Sequence, residues 1–332
     1  MSIDTSDKSP NIEERFLQPK GWRWHHFQHK DRILRFGMLP VKDGIVAKAT
    51  IICLPGLSEF GEKYYETARW AQDNDFSFWV LDWAGQGRSS RPFSNRQKRH
   101  SKTYQDDIDD LHYFIMKYVR YASVAPDVGR IPLSMLAHSM GGNIGMHYLA
   151  QHPGVFECAI FSAPMMGIKA LTALPASVAL VLSGCLKILF GSFYVFGGGD
   201  WNGKKAPLSS DPVRNKILNQ WFERDPELRT GDVTFGWVFA GLRSCFQLQN
   251  KKLLSSIQTH CTFAKAGQDQ LVDNKAIERV AQRVQNGKML ELPDSQHEIL
   301  MEIDPIRNEF LDAFYRSIKE NIIDNPEALK TF

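Results

Sequence analysis

Three residues in this sequence have the types and the chain order needed to attack an acyl carbon: Ser139, Asp269 and His297. A serine hydroxyl is a poor nucleophile until a base takes its proton, and the base needs an acid to fix its tautomer and stabilise the imidazolium. Ser139 lies in residues 133–145, where a short, mostly apolar run leads into a serine flanked by small residues and then into helical spacing. This spacing predicts a strand, a sharp turn and a helix. The strained turn would lift the hydroxyl out of a sheet and set it at a helix amino end, where unpaired N–H groups favour negative charge. The first glycine of the G-x-S-x-G pattern is replaced by Ala137, and taken alone the pattern also fits a chance serine before a glycine-rich helix start.

The acid and the base are read from position. Asp269 follows the apolar run at residues 261–266, and His297 follows the run at residues 288–292, within the loop 293–298. Both therefore fall at strand ends, in the order Ser, Asp, His that this elbow requires. Each has a plainer alternative: Asp273, four residues on, competes with Asp269 and could instead cap a helix starting at Asn274, and a lone His297 could be a cap or core histidine. His138 points the wrong way along the backbone to be the base and reads as a packing residue, while Asp82 in Asp82-x-x-Gly85-x-Gly87 reads as fixing its own loop. Two N–H groups must face the oxyanion, and the candidates are Met140, after the nucleophile, and Leu57, after Gly56.

The elements that must position these groups alternate. Two β-rich runs at residues 22–26 and 33–36 open an antiparallel edge; runs at 49–54, 76–81, 133–137 and 159–162 then alternate with helical stretches at 63–73, 103–121 and after Ser139. Continuous apolar strands separated by helices predict a mostly parallel sheet covered on both faces, with its ligand beyond the carboxyl ends of the strands. The alternation stops after the sixth strand and resumes near residue 260, so residues 164–254 read as an inserted helical cap. The expected division is a mobile lead-in at 1–20, a core at 21–163 and 255–322, and the cap between.

With 332 residues, 43% of them hydrophobic, the chain is globular, and a net charge of +3 gives no global bias toward nucleic acid. Five scattered cysteines without C-x-x-C spacing suggest neither zinc nor a disulfide framework and point to a reducing, cytoplasmic setting; no cofactor or metal is called for. The polar residues 1–20 do not read as a secretory signal. Residues 171–196 are apolar with Lys187 as their only charge, but Pro175, Gly184 and Gly191 interrupt them, so a lid or interfacial helix is expected in place of a span. Within it Leu180, Leu186 and Phe190 are candidate contacts for an acyl chain. Six basic residues, Arg88, Arg91, Arg96, Lys98, Arg99 and Lys102, cluster beside the active edge and could attract an anionic group or simply form a solvated loop.

Residues 54–59 (Leu-Pro-Gly-Leu-Ser-Glu), Asp82-Trp83-x-Gly85-x-Gly87-x-Ser89, His138-Ser139-Met140-Gly141-Gly142, Gly267-x-Asp269-x-x-Val272-Asp273 and His297-Glu298-Ile299-Leu300 together resemble the α/β-hydrolase superfamily, and within it the bacterial lysophospholipase and monoacylglycerol lipase group. The resemblance runs from about residue 22 to 318, broken by the cap. It implies the α/β-hydrolase fold, a triad of Ser139, Asp269 and His297, and an oxyanion hole from Leu57 and Met140. It also implies hydrolysis of a single-chain lipid ester. The apolar surface of the cap suits an acyl chain or peripheral contact at the inner membrane face, or else simply packs on its own sheet, and the mild net charge calls for no nucleic-acid partner; oligomeric state stays open. Pro55 stands where many members carry His, and Ala137 where they carry Gly. Rival expectations are a proline-iminopeptidase-like peptidase and a catalytically silent binding protein.

Overall fold

The computed structural model describes residues 11–325 other than 127, 204 and 205. Strands β1 (Arg23–His29) and β2 (Arg32–Leu39) form an antiparallel hairpin, followed by β3 (Ala49–Leu54), β4 (Phe76–Leu81), β5 (Leu133–His138), β6 (Cys158–Ser162), β7 (His260–Ala266) and β8 (Gly287–Leu292). They make one eight-stranded sheet in the order β1-β2-β4-β3-β5-β6-β7-β8. Only β2 runs against the others, being antiparallel to both β1 and β4. Strands β3, β5 and β6 are buried at every residue, which is why they read as unbroken apolar runs and not as alternations.

Helices α1 (Tyr65–Asp73), α2 (Gln105–Phe114) and α3 (Ser139–Gln151) alternate with the strands, and α8 (Asn274–Ala281) and α9 (Asp304–Ile318) complete the layers; between β6 and β7 lie α4 (Ala176–Phe190), α5 (Ile217–Arg224), α6 (Phe235–Gln247) and α7 (Lys251–Ser255). The layers cover both sheet faces: α1 meets α9 through the stacked rings of Trp70 and Phe314, 5.9 Å apart, while α2 packs on α3.

Residues 164–254 are tied to the core at defined points. The guanidinium of Arg214, only 2% exposed, donates to Glu66 of α1 at 2.8 and 2.9 Å, to Asp304 of α9 at 2.6 Å and to the Glu302 carbonyl at 2.8 Å. The basic cluster, read from sequence as either an attractor for an anionic group or a solvated loop, is largely spent on similar ties. Arg88 pairs with Asp225 at 2.7 Å, Arg96 with Glu227 at 2.9 Å, and Arg99 is buried. Arg88 and Arg96 thus lace the loop after β4 to residues 225–227, and Arg99 adds its carbonyl, which accepts from the Thr234 N–H at 3.0 Å.

The mobile lead-in expected over residues 1–20 needs correction where it can be seen. Residues 1–10 lie outside the described residues, but Ile12 and Phe16 are buried, and Arg69 donates to the carbonyls of Glu14 and Leu17 at 3.0 and 2.9 Å. The four-residue spacing of this apolar pair was overshadowed by its charged neighbours. Among the described residues no helix is long and apolar enough to cross a membrane. Within the apolar stretch 171–196 the 15-residue α4 lies between a turn at 171–174 and non-helical chain at 191–196.

Arg214→Ala would leave Glu66 half-buried without its main cation, and breaking such a pair typically costs about 3 kcal/mol or more. Urea denaturation is expected to show that loss in the variant.

Candidate active site

Ser139 stands where β5 gives way to α3, with φ +49°, a conformation that side chains other than glycine rarely adopt. The helix that follows is held very close to the sheet. A Cβ at Gly141 would sit 2.2 Å from the Leu54 carbonyl oxygen and 2.6 Å from that of Pro55, and one at Gly142 would meet Pro164 at 2.7 Å. Ala137 is fully buried in register between Leu54 and Phe161, so the alanine is accommodated within the sheet.

The loops after β7 and β8 deliver the other two groups. The Ser139 hydroxyl lies 2.9 Å from His297 Nε2, and His297 Nδ1 lies 2.7 Å from Asp269 Oδ2. A carboxylate only accepts, so the imidazole carries its proton on Nδ1 and Nε2 is left to accept the hydroxyl. Asp269 Oδ1 accepts the N–H groups of Leu271 and Val272 at 2.7 and 3.1 Å. Burial pushes the Asp269 carboxyl up, but the His297 hydrogen bond and charge and these two N–H groups outweigh it, and its pKa is held below the usual value. Asp273 does other work: its carboxylate accepts Lys275 N–H at 3.0 Å and caps α8.

Around them, His138 is a neutral packing residue: its Nδ1 donates to the Ser162 carbonyl at 3.0 Å, burial pushes its pKa down, and its ring lies 4.9 Å from that of His297. Asp82 accepts from Gly61 N–H at 2.8 Å, Arg88 N–H at 3.0 Å and Arg35 at 2.7 Å, so it fixes loops. Pro55 contributes its carbonyl, which accepts from Trp83 Nε1 at 2.8 Å.

Leu57 and Met140 supply free backbone N–H groups. That of Leu57 has no partner among the described residues, and Met140 is the second residue of α3, where no intrahelical acceptor exists. A cavity of about 400 Å³ opens on Ser139, His297 and Leu57. Its apolar wall includes Met165, Ile168, Leu208, Leu218, Trp237 and Val272, and Asn215, Asn219, Asp232 and Glu298 add polar groups.

The cap contacts expected from sequence do not reach this cavity. Leu180 and Leu186 are half-buried, Phe190 is exposed, and none of the three lines it. The buried positions of α4 are Ala179 and Ser183, small residues that bring it against α6, so its large side chains turn elsewhere. The share of the wall from residues 164–254 comes from Met165, Ile168 and residues between 206 and 237 instead. The strong amphipathic spacing of Ile217, Trp221 and Phe222 was the available signal that this segment faces inward. Sequence reasoning also missed Lys63, fully buried between Glu59 and Glu298 at 2.7 Å to each. Burial raises the Glu59 pKa, but the charge and hydrogen bond of Lys63 and the hydrogen bond from the Tyr64 hydroxyl overcome this and hold it below the usual value.

This sheet order with this elbow defines the α/β-hydrolase fold. The same fold is seen in a soluble variant of monoglyceride lipase from Saccharomyces cerevisiae, solved with a substrate analogue: TM-score 0.74, 17% identity, covering 94% of this chain and 99% of that one. In sequence the chain is similar to lysophospholipase L2 of Escherichia coli, 28% identical over 281 residues that cover 80% of this chain and 78% of the relative. It is also similar to monoglyceride lipase of Homo sapiens, 25% identical over 215 residues, 64% of this chain and 59% of the relative. The model of the family described as serine aminopeptidase, S33 (Hydrolase_4) matches residues 46–304, and the chain belongs to that family, as a hydrolytic enzyme of the lysophospholipase- and monoglyceride-lipase-like group.

A methyl group added by Gly141→Ala must push back the Leu54 and Pro55 carbonyls and the loop behind them. Misplacement on that scale can cost about 10²-fold, so turnover of a p-nitrophenyl ester is expected to fall by about that factor while circular dichroism stays native. Unchanged turnover would show that the contact relaxes harmlessly.

Proposed function

We propose that this chain is a serine carboxylester hydrolase that cleaves a single-chain lipid ester, a lysophospholipid or a monoacylglycerol, through an acyl-enzyme on Ser139. The observation that carries the reading is the hydrogen-bonded chain Ser139–His297–Asp269 at the foot of a largely apolar cavity, beside two unpaired N–H groups. His297 Nε2 takes the hydroxyl proton as Oγ bonds to the ester carbonyl carbon. The carbonyl oxygen becomes an oxyanion facing the N–H groups of Leu57 and Met140. When the C–O bond breaks, His297 returns the proton to the leaving alcohol; water, deprotonated by the same imidazole, then releases the fatty acid and frees Ser139. Asp269 stays ionised throughout, which its lowered pKa supports.

The relatives' names supply the lipid class, and the cavity wall agrees with it: apolar side chains for the acyl chain, with Asn215, Asn219 and Asp232 for hydroxyl groups of the alcohol part. The outward side of the cap supports interfacial action. Ile188 and Phe196 are each 84% exposed, and Val181, Leu182, Leu189 and Phe193 are exposed near them in sequence. An apolar patch of this kind, with Lys187 within it, suits a lipid surface from which a single-chain substrate is drawn.

Ser139→Ala is expected to lower turnover of lysophospholipids, monoacylglycerols and medium-chain esters by at least about 10⁴-fold and to abolish fluorophosphonate labelling. Retained turnover, or labelling of another residue, sinks the mechanism; aminoacyl arylamides in the same panel, if they alone turn over, transfer the reading to a peptidase.

For the cap, Ile188→Asp combined with Leu189→Asp is expected to weaken co-sedimentation with anionic phospholipid vesicles while leaving hydrolysis of a water-soluble ester unchanged. Equal sedimentation of variant and parent would remove the interfacial role.

A further inference from the structure

The N–H of Leu57 can serve an oxyanion only if something holds its loop, because residues 55–59 belong to neither a helix nor a strand. Gln86, fully buried, reaches across from the loop after β4. Its Nε2 donates to the carbonyls of Gly56 at 2.7 Å and Glu59 at 2.8 Å, and its Oε1 accepts the Ser58 N–H at 3.3 Å. One carboxamide thus binds the chain on both sides of Leu57. The same Oε1 accepts from Arg99 Nε at 3.1 Å, which fixes the amide's orientation.

The rest of the loop is accounted for. The Gly56 N–H is taken by the Glu59 carboxylate and the Glu59 N–H by the Gly56 carbonyl at 3.4 Å. Among the N–H groups of residues 56–59 only that of Leu57 is left over. Ser58 lies at φ +63°, an unfavourable backbone for a non-glycine residue that persists only where its surroundings over-determine it. The position of Gln86 is set in turn by Gly85 at φ +88° and Gly87 at φ +56°, so the Asp82-x-x-Gly85-x-Gly87 motif has a purpose beyond its own loop.

We infer that Gln86 is a positioning residue, whose carboxamide clamps residues 56–59 so that the Leu57 N–H faces the oxyanion formed at Ser139. This inference rests on the reading of Ser139 as nucleophile. The interaction it organises exists only when charge develops, so its loss should appear in kcat and in transition-state-analogue binding, and not in KM.

The test compares the full-length enzyme with Gln86→Met, which keeps the length but not the amide, and Gln86→Glu, which keeps the acceptors for Ser58 and Arg99 but sets a carboxylate against two carbonyls. Measured for each are kcat and KM on a p-nitrophenyl ester, the Ki of a trifluoromethyl ketone, and Tm. Losing one oxyanion donor typically costs about 10²-fold or more. Both variants are therefore expected to lose about 10²-fold in kcat and in ketone affinity, with KM within about threefold of the parent. A folded variant with kcat within about twofold, or one that loses kcat but binds the ketone normally, overturns the inference. If Gln86→Met does not fold, Gln86→Glu alone decides by the same criteria. Ser139→Ala run alongside separates the two levels: retained turnover there defeats the nucleophile reading, whereas its loss together with a normal Gln86 variant defeats only the clamp.

Discussion

The approach of α3 to β3, backbone against backbone, is the constraint on which the rest of the site depends. Ser139 is held in a left-handed conformation that costs on the order of 1–3 kcal/mol for a residue with a side chain. It persists because Gly141 and Gly142 let the helix start where larger residues would strike the Leu54 and Pro55 carbonyls and Pro164. That contact does two things at once. It presents the hydroxyl to His297, and it brings the free N–H of Met140 to the end of the strand from which the Leu57 loop departs. The continuous burial of β3, β5 and β6 supplies the packing that offsets the strain.

Ionic groups are buried at the same edge, and their arrangement suits positioning better than stability. Arg35 joins Glu62 and Asp82, and Lys63 joins Glu59 and Glu298, all with little exposure. Desolvation takes back much of what such pairs gain, so they are weak evidence for net stabilisation. What they do is connect loops: Lys63 links the loop before it to the residue following His297, and Asp82 links the loop after β4 to the backbone at Gly61. The loops from three strand ends are thereby held in one geometry before any substrate arrives, which is the condition for electrostatic catalysis.

Most of the sheet was legible because fully buried parallel strands leave unbroken apolar runs, and the chain order of Ser139, Asp269 and His297 followed from it. The choice between Asp269 and Asp273 was not, since both follow the same strand and only the turn decides which carboxylate meets His297 and which caps α8. The cap misled for a different reason. The apolar excess of residues 171–196 is visible in sequence, but hydrophobicity carries no direction, and the small buried positions Ala179 and Ser183 turn the large side chains of α4 away from the cavity. The run of arginines at 88–99 looked like a free cationic surface because its partners, Asp225 and Glu227, lie more than a hundred residues on. Gln86 could not be found at all, since three of its four partners are backbone atoms and leave no mark in composition or spacing.

The two sets of ties between the inserted segment and the core differ in kind. On the Glu66 and Asp304 side the central cation, Arg214, is almost fully buried and makes four hydrogen bonds to the core. On the side of the loop after β4, the Arg88–Asp225 and Arg96–Glu227 pairs are bridged by arginines nearly half exposed. Exposed pairs contribute about 0–1 kcal/mol each and weaken with salt, whereas the buried cluster is screened far less. Along that loop the exposed pairs are therefore secondary to firmer contacts: the Gly231 N–H donates to the Gln97 carbonyl at 2.9 Å, the Thr234 N–H to the Arg99 carbonyl at 3.0 Å, and Arg91 to the Glu227 carbonyl at 3.1 Å. The same loop carries Gln86, so the inserted segment that lines the cavity beside Ser139 and the residues 56–59 that Gln86 binds are both tied to one stretch of chain.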